Sequence, residues 1–273
     1  MSGVLYLLPN RITECAEFET LPQSTIAVAK HCRRFLAENA KSARAFLKDI
    51  GHPSPISELE IIEIGHVPDD TQFDAWLKPV NEGSDTAIVS ESGCPGVADP
   101  GAGLVARAHQ LGIRVKPLVG PCSILLTLMA SGMNGQRFRF LGYLPIHDDE
   151  RAKCLKELEN TSRKFSETEL FIETPYRNNK LLSAMTETLA DDTLITVATD
   201  VTGMAESLMT KTVKDWRKTT IDLPKLPTVF ALLGTGDVRQ EHREHKPILQ
   251  PKPKVFQKKT EKTAKLVKTS RHH

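Results

Sequence analysis

The stretch Ser90–Ala108, SESGCPGVADPGAGLVARA, decides how this chain is read. It sets Gly93, Gly96, Gly101 and Gly103 with Pro95 and Pro100 directly behind the apolar, β-leaning run Thr86-Ala87-Ile88-Val89, then passes into a helical pattern. Strand, loop and helix in that order form the repeating unit of a parallel sheet. Asp99-Pro100 gives the helix a local reason to begin, since Asp is a favoured N-cap and Pro at the first helical position wastes no donor. A helix starting at Pro100 presents unpaired amides that attract a carboxylate or phosphate. Gly93 and Gly96, either side of Cys94-Pro95, allow backbone conformations and a close ligand approach that a side chain would block. A loop at the carboxyl end of a parallel strand lies where open α/β sheets place their ligands. The same residues also suit a tight, well-capped connection with no ligand. Gly101-Ala102-Gly103-Leu104-Val105-Ala106 fits G-x-G-x-x-A, but its first glycine lies about ten residues past the strand, where a dinucleotide motif needs the turn at once.

Gly120-Pro121-Cys122-Ser123 repeats the device: strand, Gly-Pro, then a hydroxyl at a helix start, with Ser123 either capping the helix or reaching a ligand. Two such mouths on successive strands can face one crevice.

Outward from these loops the pattern alternates. Strands are expected at 4–9, 35–37, 59–64, 86–90 and 113–119, and helices at 41–47, 73–80 and 103–110, while 22–31 suits either. The N-terminal part is therefore a mainly parallel, helix-covered sheet. After Gly120-Pro121 come a small-residue helix at 123–130, strands at 138–144, 169–172, 194–199 and 228–233, and helices at 149–159 and 180–189. These suffice for a second α/β layer. The expected organisation is an N-terminal α/β domain at 1–119, a C-terminal α/β domain at 120–236, and a tail at 237–273.

The 273 residues are 40% hydrophobic and 26% charged, ordinary for a folded soluble protein. No apolar run reaches membrane-span length, and the N-terminus reads as a first strand, not a signal peptide. Cys15, Cys32, Cys94, Cys122 and Cys154 are scattered with no CxxC pair, so a reducing, cytoplasmic compartment and no metal site are expected. From Asp237 onward eleven Lys/Arg face four Asp/Glu, a net +7, which leaves residues 1–236 at −5 within an overall +2. This Pro-interrupted basic tail is expected to be disordered. It either attracts RNA phosphates or is merely solvated; its one aromatic residue, Phe256, argues against base stacking as its main mode.

Taken together the segments resemble the tetrapyrrole methylase superfamily, and within it the rRNA small-subunit methyltransferase I branch. The branch signature S-D-A-G-T-P-x-x-S-D-P-G stands here as Ser90 to Gly101, and the resemblance continues through Gly120-Pro121-Cys122-Ser123, Ala130-Ser131-Gly132, Arg137-Phe138 and Gly142-Tyr143-Leu144-Pro145. Glu173-Thr174-Pro175-Tyr176-Arg177 stands where the branch has E-S-P-H-R. Other positions depart from it. T-P-I-G-N is replaced by Leu8-Pro9-Asn10-Arg11-Ile12, A-E-D-T-R by Ala37-Glu38-Asn39-Ala40-Lys41, and R-E-L-T-K by Thr199-Asp200-Val201-Thr202-Gly203, with a matching Glu206 beyond. A late G-E is Leu226-Pro227. The cofactor loop is better kept than the positions facing substrate, as in a diverged member.

The resemblance implies a dimeric, two-domain methyltransferase whose second sheet is mixed and which holds S-adenosylmethionine in the cleft between domains. Pro9, Glu91, Ser92, Gly93, Pro95, Val97, Gly120, Pro121, Ser123, Ile172, Thr228 and Val229 would line the cofactor pocket. The implied acceptor is a ribose 2′-hydroxyl of ribosomal RNA, of the 16S cytidine type. Such a hydroxyl must lose a proton as it attacks. Glu38 and Asp99 are the candidate carboxylates, with Lys41 and Arg44 to steady a developing oxyanion or hold phosphate. The plainer readings are that Glu38 pairs with Lys41 or Arg34 at helical spacing and that Asp99 only caps a helix. Glu173, Tyr176 and Arg177 either meet substrate or start the next helix. The diverged segments leave two alternatives: a small-molecule acceptor such as a tetrapyrrole, or a non-catalytic S-adenosylmethionine-binding relative.

Overall fold

The structure, a computed structural model, describes residues 2–13 and 19–235. Cys15, the tail and its Phe256 lie outside the described residues.

β1 (Val4–Leu8), β2 (Arg34–Ala37), β3 (Glu60–Glu63), β4 (Thr86–Val89) and β5 (Arg114–Pro117) form an all-parallel sheet in the order β3-β2-β4-β1-β5. The central strands are apolar on both faces, as a sheet covered by helices on both sides requires. Alternation along the strands divides them between two cores. Leu8, Phe35, Ala87 and Val89 pack with Ile26 and Ala29 of α1 (Gln23–His31) and Phe46 and Leu47 of α2 (Ala40–Asp49). Leu5, Leu36 and Ile88 pack with Leu77 and Val80 of α3 (Phe73–Asn81) and Leu104 and Ala108 of α4 (Ala102–Gln110). Segment 22–31, open in the sequence, is thus helical, its Ile26 and Ala29 on one face. Asn39 caps α2, its Oδ1 accepting from the amides of Lys41 (2.9 Å) and Ser42 (3.1 Å). Asn39→Ala should cost about 1 kcal/mol in denaturant unfolding, the usual worth of such a cap.

α5 (Ser123–Ser131) leads into the second sheet, formed by β6 (Phe138–Tyr143), β7 (Thr168–Glu173), β8 (Leu194–Thr199), β9 (Ser207–Thr212) and β10 (Thr228–Leu233) in the order β6-β7-β10-β8-β9. Only β6 and β7 are parallel; β10 runs antiparallel to β7 and β8, and β9 antiparallel to β8. One face packs Phe171, Phe230 and Ile195 with residues of α6 (Asp148–Phe165), α7 (Asn178–Thr188) and α8 (Val213–Trp216); the other packs Leu170, Val229 and Ala231 under Ile124 and Leu128 of α5. Among the described residues no helix is long and apolar enough to cross a membrane.

Two expectations need correction here. α4 begins at Ala102 and not at Pro100: Asp99 Oδ1 accepts from Gly101 N (2.8 Å), as a cap does, but also from Gly96 N (3.0 Å) upstream, so Pro100 and Gly101 form a turn ahead of the helix. Ser123 is the first helical residue of α5, with Cys122 at the cap position and no side-chain cap bond there. β9 and α8 were not foreseen. β9 is an edge strand, Ser-Leu-Met-Thr-Lys-Thr, whose alternation has little hydrophobic contrast.

Candidate functional site

The helices after β1 and β2 cover one face of the first sheet and those after β3 and β4 the other. The chain leaving β4 therefore diverges from the chains leaving both of its neighbours, β1 and β2. Such switch points open a crevice outside the carboxyl ends of the strands, and the 90–101 loop lies between the two.

On the β1 side, Asn10 N donates to Gly93 O (2.9 Å), and Asn10 Nδ2 donates to Glu91 O (3.1 Å). Ser90 Oγ also donates to Gly93 O (2.9 Å), and Ser92 Oγ to Ile12 O (3.1 Å). Gly93, at φ 68°, turns the loop back through a conformation that a β-branched residue adopts only with strain. The loop after β5 closes the rim. Cys94 Sγ lies 3.3 Å from Pro121 O, and Gly120 packs so tightly on buried Pro9 that an added Cβ would stand 2.2 Å from the proline Cβ. Ile172 and Val229, cross-strand partners on β7 and β10, share a cluster with Cys122 and Ile124 at the start of α5. Pro9, Gly93, Gly120 and Pro121 thus meet at the carboxyl ends of β1, β4 and β5, with buried Pro95 on the same loop as Gly93, and Ser123 opens the helix that carries this rim to Ile172 and Val229. Glu91, Ser92 and Val97 are exposed at its edge.

Thr228 has a structural role: it is buried, and its hydroxyl is engaged with Asn178 Nδ2 (2.9 Å), Thr199 Oγ1 (3.0 Å) and Leu226 O (3.0 Å). Asp99 is taken up in holding the loop. Asp99→Ala removes both amide contacts and should lower loop stability by about 1 kcal/mol, seen as faster amide exchange at Gly96 and Gly101.

On the β2 side stands Glu38. It is not paired with Lys41 or Arg34: Arg34 is buried in β2 and its guanidinium meets Trp76 O (2.8 Å) and Glu60 (3.1 Å). Glu38 instead accepts His66 Nδ1 at 2.6 Å through Oε1 and Glu91 N at 3.2 Å through Oε2. His66 was missed in the sequence because a lone His after β3 carries no motif. Its hydrogen bond to Glu38, then the nearby charges of Glu38, Glu91 and Glu63, raise its pKa above the ordinary imidazole value. Lys41 and Arg44 are exposed on α2 and make no ion pair among the described residues. Donor atoms of Glu38, His66 and Glu91 lie within 4.8 Å of one another. We assign no metal to them: Glu38 and His66 already satisfy each other, and three mostly exposed donors are a sparse set for a divalent ion.

The Glu173–Arg177 segment divides in two. Buried Glu173 Oε1 accepts Thr174 N (2.7 Å), Arg177 Nε (2.9 Å) and Arg177 Nη2 (2.6 Å), an internal clamp at the start of α7. Tyr176 is 81% exposed, with Nζ of Lys225, on the loop before β10, 5.3 Å from its ring centre, so Tyr176 is the member of the segment free to meet a substrate, with Lys225 beside it. Cys32 and Cys94 are not activated thiols: burial pushes the Cys32 thiol up to about 12, and burial raises that of Cys94 too.

No protein-family model matches the chain. It is 26% identical over 249 residues to the ribosomal RNA small subunit methyltransferase I of Pasteurella multocida (strain Pm70), covering 90% of this chain and 84% of that one. The enzyme of the same name from Bacillus subtilis (strain 168) is 31% identical over 216 residues, covering 78% of this chain and 68% of its relative. This chain belongs to the ribosomal RNA small subunit methyltransferase I family. Among solved structures, the uroporphyrin-III-C-methyltransferase from Thermus thermophilus (17% identity, TM-score 0.50) covers 86% of this chain and 93% of that one. The methyltransferase CobJ (18% identity, TM-score 0.55) covers 85% and 92%. These two show that this chain has the tetrapyrrole methylase fold, here with one parallel and one mixed five-stranded sheet. The chain is a methyltransferase.

Proposed function

We propose that this methyltransferase uses S-adenosylmethionine to methylate RNA, at a ribose 2′-hydroxyl of small-subunit ribosomal RNA. What supports the reading most is the kinship with small-subunit rRNA methyltransferases over more than two thirds of both chains. The rim is suited to this methyl donor. Its backbone is turned by Gly93 and drawn tight at Gly120, its edge offers exposed Val97 and Val119 for an apolar ring, and Glu91 and Ser92 offer polar groups for an amino-acid end. In this reading Gly93, Pro95, Val97, Gly120, Pro121, Ser123 and Ile172 hold the cofactor, while Tyr176, Lys225, Lys41 and Arg44 face the nucleic acid.

The reading carries a cytoplasmic homodimer, domains divided near residue 119, and a role for the basic tail in phosphate attraction; analytical ultracentrifugation tests the dimer. The function is tested by incubating the protein with labelled S-adenosylmethionine and small ribosomal subunits lacking the modification, then digesting the RNA to nucleosides. A 2′-O-methylnucleoside is the expected product. Label appearing only on a base or on a tetrapyrrole, or on nothing, contradicts the reading.

A further inference from the structure

The proposed reaction needs a group to take the hydroxyl proton, and the structure offers one that the sequence did not single out. Glu38 directly follows β2 with its amide bound to Val89 O (3.2 Å), and its carboxylate is fixed at both oxygens, by Glu91 N on the cofactor loop and by His66 beyond β3. A carboxylate so engaged, with its side chain only 12% exposed, is poorly placed to accept a substrate proton itself. The His66 side chain is 73% exposed. Because an ionised carboxylate only accepts, the hydrogen bond fixes the proton of neutral His66 on Nδ1 and leaves the lone pair on Nε2 of this largely exposed ring. The pair stands at the switch point between β2 and β4, joined to the cofactor loop through the Glu91 amide.

We propose that His66 is the general base of the methyl transfer and that Glu38 is its positioning residue. The inference rests on the function proposed above. S-adenosylmethionine, when bound, supplies an electrophilic methyl carbon: as the hydroxyl oxygen bonds to that carbon, the carbon–sulfur bond breaks and its electron pair stays on sulfur. The hydroxyl proton passes to His66 Nε2. Glu38 then faces an imidazolium through Nδ1–H, so the positive charge forms beside a fixed negative one, and the proton leaves to water after transfer. The carboxylates around the ring are Glu38 from β2, Glu63 from β3 and Glu91 from the β4 loop, while the cations of adjoining α2 make no ion pair with them. They raise the pKa of His66, which makes it a stronger base but moves the pH at which it becomes neutral upward.

The test is the single-turnover rate of methyl transfer against pH, with saturating S-adenosylmethionine, for wild type, His66→Ala and Glu38→Gln. Wild type should lose rate as pH falls through the His66 pKa, when Nε2 is already protonated. His66→Ala should be slower by about 100-fold or more, the ordinary worth of a general base, lose that limb of the profile, bind S-adenosylmethionine as wild type does by calorimetry, and recover rate with added imidazole. Glu38→Gln should move the limb to lower pH, and NMR titration of His66 in the free enzyme should show the same displacement. A His66→Ala enzyme with wild-type rate and pH profile overturns the inference alone. So does a rate abolished by chelator and restored by a divalent cation. No transfer by wild type at all brings down the proposed function and this inference with it.

Discussion

Gly120→Ala should cost about 1–3 kcal/mol of stability, the range for overpacking a close contact, and should weaken S-adenosylmethionine binding at least 100-fold. The added methyl group would stand 2.2 Å from Pro9 Cβ and 2.5 Å from Pro9 Cγ, separations that no two non-bonded carbon atoms sustain. Pro9 cannot rotate away: its ring is closed on its own backbone, and the next residue is bound to the loop by Asn10 N to Gly93 O. Relief must come from separating the ends of β1 and β5, which are the two sides of the proposed cofactor rim. Thermal unfolding with and without S-adenosylmethionine checks this. Wild type should gain stability with the cofactor, while Gly120→Ala should unfold at a lower temperature and respond little to it.

Phe230→Ala should be the most destabilising single change in the second sheet, by about 3–5 kcal/mol, the usual loss for a fully buried phenylalanine. Phe230 is completely buried on β10, opposite Phe171 of β7 in the antiparallel register, with ring centres 6.1 Å apart and planes 6° from parallel. Their neighbours on the same face, Ile195, Val197 and Trp216, come from strands and a helix that each fix one side of the cavity, so it cannot readily collapse. Urea unfolding followed by tryptophan fluorescence reads the effect, since Trp216 lies in this cluster with its indole N–H bound to Ile195 O (2.9 Å).

Much of the fold could be read from apolar runs. Leu5 to Leu8, Phe35 to Ala37 and Ala87 to Val89 are strands buried on both faces, and such strands announce themselves by composition. β9 escaped because an edge strand carries no continuous apolar run, and α1 could not be told from a strand until Ile26 and Ala29 had a sheet to pack against. The glycine-proline loops were legible for a different reason: Gly93 and Gly120 answer to local backbone and packing demands that leave few other residues possible. What sequence could not supply was pairing across the sheet. Glu38 meets His66, 28 residues away, only because β2 and β3 lie side by side, and neither residue lies in a motif naming the other. For Asp99 the sequence leaves both a helix cap and a catalytic carboxylate open, and the loop's own folding was not legible there. The carboxylate's partner upstream, the Gly96 amide, comes within reach only when the loop folds back on itself.

The measurement that bears most directly on the account is a calorimetric titration of S-adenosylmethionine into wild-type protein and into Gly93→Val. Gly93 holds φ 68° at the point where the β4 loop meets Asn10, and a built Cβ there comes 3.5 Å from Pro121 O. A valine should therefore distort the loop without unfolding the sheets behind it. The account predicts saturable binding near one site per chain for wild type and none for a folded Gly93→Val protein. No heat of binding from folded wild type, or equal binding by both proteins, would contradict it.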